Sequence, residues 1–420
     1  MNLYLGIDFG TSGARAIVID VEGNIHASSQ YYFDEVSDLA LSWKKALFAL
    51  IEQIPHELRG KISAIAIDGT SSTVLLCDRA GNPVDEPILY NDARGVEVMD
   101  KLREIAPPNH TVLSATSSLA KLLWWQQQPL SISPLQREYL LLHQADWLAF
   151  LLHGQLSISD YHNALKLGYD VEHLCYPEWL LNLPISNLLP KVIAPGSPIA
   201  EVQPEIVSQL GLSKDCLVCA GTTDSIAAFL ASGADSPGEA VTSLGSTLVL
   251  KLLSRTKVDD AKYGIYSHRL GNLWLVGGAS NTGGAVMRKF FTDAELENIS
   301  NQIDAEEESQ LDYYPLLKEG DRFPINDPHL PPRLEPRPDN PVEFLHGLLE
   351  SIARIEARGY QLLQHLGSTE LKQVYTAGGG AKNPVWAAIR GRHLQVPLIP
   401  SIQTAAAYGT ALLAMRGINK

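Results

Sequence analysis

The sequence contains one strand-turn-strand pattern twice, and this internal repeat constrains the fold more than any other feature. Apolar residues at 3–8 and 16–20 flank a turn rich in Gly, Ser and Thr, and a second turn at 22–24 leads into a third strand. The pattern recurs with strands at 240–244, 248–253 and 273–276. Because a helical pattern at 42–54 and a strand at 62–68 follow the first copy, we predict an α/β fold with two related halves.

The length of the chain also predicts two domains. A single core rarely grows beyond about 250–300 residues, and this chain has 420. The densest cluster of turn residues lies at 233–238, so we predict domains at 1–236 and 237–420. In the second half, the pattern predicts an extended surface connector at 323–341, a long helix at 341–366 and a strand at 373–376.

Composition excludes several classes of partner. The chain has 33 basic and 47 acidic residues, a formal net charge of −14, so neither nucleic acid nor an anionic membrane is an expected partner. No apolar run reaches the ~18 residues of a membrane span, and the Met-Asn start leads directly into a strand, which predicts a cytoplasmic protein. Cys216 and Cys219 form a C-x-x-C in a predicted buried strand, and no second Cys/His pair supports a metal or redox role.

The first turn has the residues of a phosphate site. Gly10 and Gly13 allow a tight turn that presents backbone N–H groups, and Thr11 and Ser12 add hydroxyl donors. Asp8 ends an apolar strand, where a buried carboxylate is costly unless a cation such as hydrated Mg²⁺ compensates it. The alternative is a plain hairpin with a capping Asp.

Two further Gly-containing turns lie in the second half. The repeat places Gly245, Ser246 and Thr247 at the position equivalent to the first turn, so we expect two facing hairpins to hold one polyphosphate between the domains. A later loop is expected to approach a nucleoside, and its candidate residues are Gly378, Gly379, Gly380, Asn383 and Trp386. In the alternative, Asn383 only caps a helix and Trp386 fills the core. The P-loop pattern is absent from the sequence.

These motifs together resemble the FGGY carbohydrate kinases of the actin/Hsp70-like ATPase superfamily. Residues 8–12 are similar to the first phosphate motif of that family, residues 243–247 to the second, and residues 377–383 to the adenosine motif. The short chain and the Ile-Asp-Gly-Thr-Ser run at 67–71 look most like the compact cyanobacterial and plastid D-ribulose kinases. The resemblance implies two actin/Hsp70/ribonuclease-H-like domains with a cleft between them, and it implies ATP and Mg²⁺.

The resemblance also implies roles for individual residues. Asp224, in the run Gly-Thr-Thr-Asp, would be the catalytic base, with Asp8 and Thr11 also catalytic and with Asp8 and Asp224 near the metal; the alternative for Asp224 is a helix N-cap. The implied sugar-binding residues are Ser12, Asp68, Ser71, Ser72, Asn91, Asp92, Arg94 and Asp224. Asp92 and Arg94 have an alternative as a structural ion pair. Three histidines without metal spacing are interpreted as ordinary helix or loop residues: His143, His153 and His162.

The implied reaction is phosphorylation of a ketopentose, with D-ribulose converted to D-ribulose 5-phosphate. Bacterial xylulokinases carry a bulkier Met-His pair in the segment that is Asp68-Gly69-Thr70-Ser71 here, which disfavours D-xylulose. D-Xylulose or another polyol stays an alternative substrate. The alternative of another class is an actin/Hsp70-like ATPase that acts on a protein partner. The sequence does not predict an oligomeric state.

Overall fold

The computed structural model describes residues 1–33, 38–128 and 139–419, and these form two compact units. The first unit contains Met1–Ala231 together with the C-terminal segment from Ala405. The second unit contains Ser232–Thr404. Each unit is built around its own mixed β-sheet.

The strands occur in both units along the whole described chain. In chain order they are β1 (Leu3–Phe9), β2 (Gly13–Ile19), β3 (Ile25–Tyr32), β4 (Ile62–Gly69), β5 (Val74–Cys77), β6 (Leu140–His143), β7 (Ile158–Asp160), β8 (Lys191–Ile193), β9 (Pro198–Glu201), β10 (Leu217–Cys219), β11 (Thr222–Thr223), β12 (Glu239–Leu244), β13 (Leu248–Ser254), β14 (Tyr266–Leu270), β15 (Leu273–Ser280), β16 (Gln373–Ala377) and β17 (Leu398–Pro400). The pairs β5–β6 and β7–β8 form small separate sheets.

The helices vary from a single turn to seven turns. In chain order they are α1 (Leu39–Glu52), α2 (His56–Arg59), α3 (Met99–Ile105), α4 (Ser118–Gln127), α5 (Gln144–His153), α6 (Tyr161–Ala164), α7 (Glu178–Leu181), α8 (Pro204–Leu210), α9 (Asp224–Ala231), α10 (Gly284–Arg288), α11 (Asp293–Ser300), α12 (Pro341–His365), α13 (Pro384–Leu394) and α14 (Ala406–Ile418). Side-chain caps begin several of them, as where Asp38 accepts from Leu41 N–H at 2.9 Å at the start of α1.

The sheet of the first unit combines an antiparallel meander with parallel strands. Its order is β3-β2-β1-β4-β10-β9, and β11 pairs with β4. Strands β1, β2 and β3 are antiparallel neighbours, whereas β4 is parallel to β1, β10 and β11. Strand β1 is nearly all buried because the sheet is covered on both faces, which explains its continuous apolar sequence.

The sheet of the second unit repeats this arrangement. Its order is β14-β15-β13-β12-β16-β17, in which β12, β13 and β15 are antiparallel neighbours and β16 is parallel to β12 and β17. Strand β14 adds an edge that the sequence pattern does not predict. The predicted α/β class and the two related halves are confirmed.

The C-terminal helix α14 packs on the first unit, whereas the predicted division at 236/237 puts it in the second. Glycines make this packing possible. A Cβ atom on Gly6 of β1 would lie 2.1 Å from the Ala407 carbonyl oxygen, and one on Gly409 of α14 would lie 1.9 Å from that of Ala227 in α9. Backbone therefore packs directly against backbone where α14 crosses β1 and α9.

The core of the second unit corrects one prediction. The segment at 323–341 is not wholly a surface connector, because Phe323 at its start is fully buried. Its ring contacts the positions of Gly278 on β15 and Gly359 on α12, where added Cβ atoms would lie 2.4 Å and 2.7 Å from it. The ring thus fixes one end of the Pro-rich segment between sheet and helix.

Candidate active site

Three carboxylates meet at one edge of the first sheet. Strands β1 and β4 are parallel, and Asp8 lies directly opposite Asp68 in their register. Strand β11 continues the edge, with Thr222 opposite Asp68. Asp224 follows β11 as the first residue of α9. Because the carboxyl ends of parallel strands meet at the same edge, residues distant in sequence form one acidic cluster.

The acidic cluster has a buried member and two more accessible ones. Asp68 is 0% exposed, and burial, followed by the negative charges of Asp8 and Asp224, raises its pKa well above the ordinary value. Burial also raises the pKa of Asp8, against the lowering effects of a hydrogen bond with Asp68 and the charge of Arg15. Among the described residues, Thr410 donates to Asp68 Oδ2, but Oδ1 has no donor when both carboxylates are ionised. The pair therefore favours a shared proton or a bound cation.

The β1–β2 turn presents hydroxyl groups at the surface. Gly10 N–H donates to the Gly13 carbonyl at 3.0 Å, which closes the turn, and Thr11 and Ser12 are exposed at its tip. The Ser12 carbonyl accepts from Phe33 N–H at 3.1 Å, which ties the turn to the end of β3. The tip of the turn is open to solvent, and its contact with a phosphate group stays a prediction.

The segment at the end of β4 and just after it is more buried than direct contact with a sugar would allow. Asp68 and Ser72 are 0% and 1% exposed, so neither side chain is available to a ligand in this structure. Ser72 has φ 68°, a left-handed conformation that is uncommon outside glycine. Only Ser71 is half-buried and accessible. We therefore correct the direct-contact prediction for Asp68 and Ser72: they lie beneath the surface.

The segment at 90–94 contains the ion pair that was the alternative for two of its residues. Arg94 Nη2 lies 2.6 Å from Asp92 Oδ2, and the Arg94 guanidinium lies 4.8 Å from the centre of the Trp124 ring. The side-chain hydrogen bond from Arg94 has the largest effect on the pKa of Asp92 and lowers it, and the charge of Arg94 lowers it further. Asn91 is exposed beside the pair. The geometry accounts for Asp92 and Arg94 structurally and leaves Asn91 free for a ligand contact.

A buried polar network holds Thr222, two residues before Asp224, and no sequence motif predicts a role for this network. His162 Nδ1 lies 2.7 Å from Thr222 Oγ1, and Asn163 Nδ2 donates to the Thr222 carbonyl at 3.2 Å. Asn163 also donates to Asp160 Oδ2 at 2.6 Å. Burial, then the charge of Asp146, raises the pKa of Asp160 to about 7. His162 is thus not an ordinary helix residue, and the Asp-x-x-Asn spacing of a helix cap was its sequence signal.

In the second unit, the β12–β13 turn is joined to the start of α10. The Gly245 carbonyl accepts from Gly284 N–H at 2.9 Å, and the Ser246 carbonyl accepts from Ala285 N–H at 3.1 Å. The loop after β16 passes close by, since a Cβ atom on Gly378, at φ 84°, would lie 2.7 Å from the Leu244 carbonyl. The predicted phosphate turn and the predicted adenosine loop are therefore neighbours within this unit.

A cavity of about 560 Å³ opens beside this loop. It is lined by Leu244, Gly284, Met287, Arg288, Asp293, Leu296, Glu297, Ser300, Asn301, Leu349, Gly379, Gly380, Lys382, Asn383, Pro384 and Trp386. Asn383 caps α13 by accepting from Trp386 N–H at 3.0 Å, and its Nδ2 donates to Ser300 Oγ at 2.8 Å. Of the predicted nucleoside residues, Gly379, Gly380, Asn383 and Trp386 line this one cavity, whereas Gly378 is not part of its lining.

Trp386 is a core residue, which corrects the prediction that it stacks on an adenine. Its side chain is 1% exposed, and Nε1 donates to the Leu349 carbonyl at 3.2 Å. A Cβ atom on Gly380 would lie 2.5 Å from its ring, so the loop packs against the indole. The indole supports the cavity wall and leaves no open ring face to a ligand.

The C-x-x-C pair has no accessible thiol. Cys216 and Cys219 are buried and unpaired, and burial raises the pKa of each to about 12. A thiolate is therefore disfavoured at both positions.

Within the described residues, no helix is both long enough and apolar enough to cross a membrane.

Comparison with known proteins identifies the family. Residues 3–231 match the N-terminal domain of the FGGY family of carbohydrate kinases, and residues 240–418 match its C-terminal domain. The chain belongs to the FGGY family. It is a carbohydrate kinase, which argues against the alternative of an ATPase that acts on a protein partner.

Individual FGGY relatives are distant but span the whole chain. A xylulose kinase of Staphylococcus epidermidis is 22% identical over 99% of this chain and 88% of its own length. An autoinducer-2 kinase of Yersinia enterocolitica is 24% identical over 99% of this chain and 86% of its own length. The particular similarity to cyanobacterial and plastid D-ribulose kinases stays a prediction.

Solved structures confirm the predicted actin/Hsp70/ribonuclease-H-like fold class. A kinase from Brucella ovis, described as a xyloylose kinase, has a TM-score of 0.84 at 23% identity and covers 99% of this chain and 90% of its own. A Plasmodium falciparum glycerol kinase with ADP has a TM-score of 0.85 at 19% identity and covers 100% of this chain and 90% of its own. The FGGY fold therefore extends over both units of this chain.

Proposed function

We propose that this FGGY kinase transfers the γ-phosphoryl group of ATP to the terminal hydroxyl of a ketopentose, and that D-ribulose is preferred, giving D-ribulose 5-phosphate. The acidic cluster at the ends of β1, β4 and β11 carries the proposal. Phosphoryl transfer needs little covalent assistance, so positioned carboxylates and charge neutralisation supply most of the catalysis. The half-exposed Asp8 and Asp224 are supported by the fully buried Asp68.

Asp224 is proposed as the general base. It is half-buried at the start of α9, and its Oδ1 accepts from Ser225 N–H at 2.6 Å, which restricts its rotation. In the transfer, the sugar oxygen forms a bond to the γ-phosphorus while the bond from that phosphorus to the ADP oxygen breaks. The hydroxyl proton passes to the Asp224 carboxylate. The network on Thr222 holds the chain just before this residue.

The acidic cluster also fits a magnesium ion. The buried Asp68 Oδ1 lacks a donor when the cluster is ionised, and the pKa of Asp8 is raised, both of which an adjacent cation would relieve. Oxygen ligands of this type suit Mg²⁺, and Asp8 and Asp224 would hold it. When bound, the ion neutralises charge on phosphate oxygens.

The cavity in the second unit is the proposed nucleoside site. Its volume of about 560 Å³ lies within the range of small-molecule pockets, and Gly379 and Gly380 allow close approach to a ligand. The ADP in the structure of the Plasmodium falciparum glycerol kinase supports an adenine nucleotide as the ligand. Thr11 and Ser12 in the first unit, and Gly245, Ser246 and Thr247 in the second, are proposed to contact phosphates.

The preference for D-ribulose rests on the small side chains after β4. D-Ribulose and D-xylulose differ only at C3, and a site that hydrogen-bonds one hydroxyl discriminates against a substrate that leaves its groups unpaired. Ser71 is the accessible hydroxyl of this segment. D-Xylulose is the second candidate, because several relatives bear the name xylulose kinase.

Steady-state kinetics on D-ribulose, D-xylulose, glycerol and an aldose tests the proposal. We expect kcat/KM to be higher for D-ribulose than for D-xylulose. Ser71→Ala should lower kcat/KM for D-ribulose and so reduce the ratio of the two values. Ser72→Ala is the matched control, because the buried Ser72 hydroxyl has no hydrogen-bond partner among the described residues. This variant should change the ratio of the two kcat/KM values less than Ser71→Ala does. A wild-type preference for D-xylulose would overturn the D-ribulose assignment and leave the kinase assignment intact.

A further inference from the structure

A lysine is completely buried in the first unit. Lys121 lies in α4 and is 0% exposed, although lysine is almost never fully buried without a partner. Its ammonium group donates to the carbonyl oxygens of Ser72 and Leu89, each at 2.7 Å. No carboxylate accepts directly from Nζ among the described residues. The lysine therefore binds backbone, and its ammonium group links the two carbonyl oxygens.

One carbonyl lies in, and the other directly precedes, the two segments that the family resemblance assigns to the sugar. Ser72 ends the run from Asp68, and Leu89 precedes the run from Tyr90 to Arg94. Thr73 Oγ1 accepts from Tyr90 N–H at 3.0 Å, so the segments are already adjacent. Lys121 adds a second link between the two segments, next to the Val74–Ile88 bridge where their strand-like pairing begins.

The conformation of Ser72 explains why such a link is needed. Its φ of 68° is strained for a residue with a side chain, and strained backbone persists only where its surroundings hold it. The 2.7 Å hydrogen bond from Lys121 Nζ to the Ser72 carbonyl holds this turn, and it is strongest when the lysine is protonated. The next residue back is the accessible Ser71.

Charges around the ammonium group do not compensate its burial. The charge of Asp92 favours the protonated form, whereas Lys166 and Arg94 oppose it, and burial has the largest effect, lowering the pKa to about 7. A methionine of similar length would avoid that cost. Retaining a lysine here is therefore costly for folding and requires a positional reason.

We propose that Lys121 is a positioning residue for the sugar, because it holds the Ser72 and Leu89 carbonyls and thereby sets the position of Ser71 relative to Asn91. The inference rests on the proposed function. Lys121 should therefore affect sugar binding. It should not affect nucleotide binding, because the proposed nucleoside cavity lies in the other unit.

The experiment compares KM for D-ribulose and for ATP in wild type, Lys121→Met and Lys121→Arg. We expect Lys121→Met to raise the sugar KM at least about tenfold while the ATP KM stays within about twofold, and Lys121→Arg to restore part of the loss. The exposed Lys101 on α3 provides the matched control, Lys101→Met, which should match wild type.

A second variant keeps the test decisive. Because glycine adopts a φ of 68° without strain, Ser72→Gly in the Lys121→Met background should recover part of the sugar affinity. If Lys121→Met does not fold, Lys121→Arg alone must still raise the sugar KM selectively. Equal rises in both KM values, or a lower melting temperature with an unchanged sugar KM, would overturn the positioning role. Absence of saturation by any pentulose in wild type would instead refute the proposed function.

Discussion

The buried ion pair of the second unit provides a quantitative test of how this unit is held together. Arg390 of α13 and Glu356 of α12 are 1% and 0% exposed, with Nε to Oε2 at 2.6 Å and Nη2 to Oε1 at 2.7 Å. Arg390 Nη1 also donates to Thr376 Oγ1 at 3.0 Å, and Thr242 Oγ1 donates to Glu356 at 2.5 Å. The pair therefore joins both helices to β16 and β12, the strands that present the two Gly turns.

Arg390→Met should leave the Glu356 carboxylate buried without a counter-charge. Removing one partner of such a pair costs about 3–5 kcal/mol, because the remaining charge keeps its desolvation penalty. Replacing both, as Glu356→Leu/Arg390→Met, removes both charges and should be at least about 2 kcal/mol more stable than the single variant. For a unit of this size, the single change corresponds to a fall of roughly 6–20 °C in the melting temperature.

Urea and thermal denaturation followed by circular dichroism measure these differences. The matched control is Arg333→Met, because Arg333 forms an exposed pair with Asp312 at 2.8 Å and its loss should cost at most about 1 kcal/mol. The reasoning is refuted if Arg390→Met stays within about 1 kcal/mol of wild type, or if the double variant is no more stable than the single one.

Three further predictions concern single residues. Asp224→Asn should fold normally and lower kcat about 10²- to 10⁴-fold, because a positioned base is lost; near wild-type kcat would remove Asp224 from the mechanism. Trp386→Ala should lower the free energy of unfolding by about 3–5 kcal/mol, as expected for a buried tryptophan; an unchanged melting temperature with a raised ATP KM would instead support stacking on the base. Folding lowers the pKa of Lys121 from 10.5 to about 7. Between these two pH values the unfolded chain therefore binds more protons than the folded chain. The unfolding free energy of wild type relative to Lys121→Met should therefore rise by up to ~1.4 kcal/mol per unit between pH 7 and pH 9, and parallel urea-denaturation profiles would contradict this.

Local patterns predicted most of the sheet. The strands β1, β2 and β12 follow from apolar runs bounded by Gly-rich turns, and their repetition predicted two related sheets. The position of α14 was missed because it depends on contacts between distant residues: Gly6 and Gly409 remove the side chains that would keep helix and strand apart. The small-residue run at 405–411 was its only local signal.

The sequence predicted only part of the candidate site, because the rest depends on contacts between residues that are distant in the chain. Asp8 stands out locally because it ends an apolar strand, whereas the buried position of Asp68 results from the register between β1 and β4. Trp386 carried a helical signal that favoured the core, since Trp386, Ile389 and Arg390 lie on one face of α13 and are all buried.

Lys121 illustrates a signal that only the structure explains. A single charge in the otherwise apolar Ser-Leu-Ala-Lys-Leu-Leu-Trp run of α4 is unusual. The sequence alone does not indicate that its partners are two backbone carbonyls 32 and 49 residues away. Backbone acceptors carry no side-chain signature, so such links are invisible to motif analysis.

The most direct test of the central claim is the fate of the γ-phosphate of ATP in the presence and absence of D-ribulose, followed by ³¹P NMR together with ADP release. Our prediction is that ADP forms only when the sugar is present, that the phosphate appears on the terminal hydroxyl of the sugar, and that Asp224→Asn loses this transfer. ADP formed at the same rate without any sugar, with the phosphate released as inorganic phosphate, would contradict it.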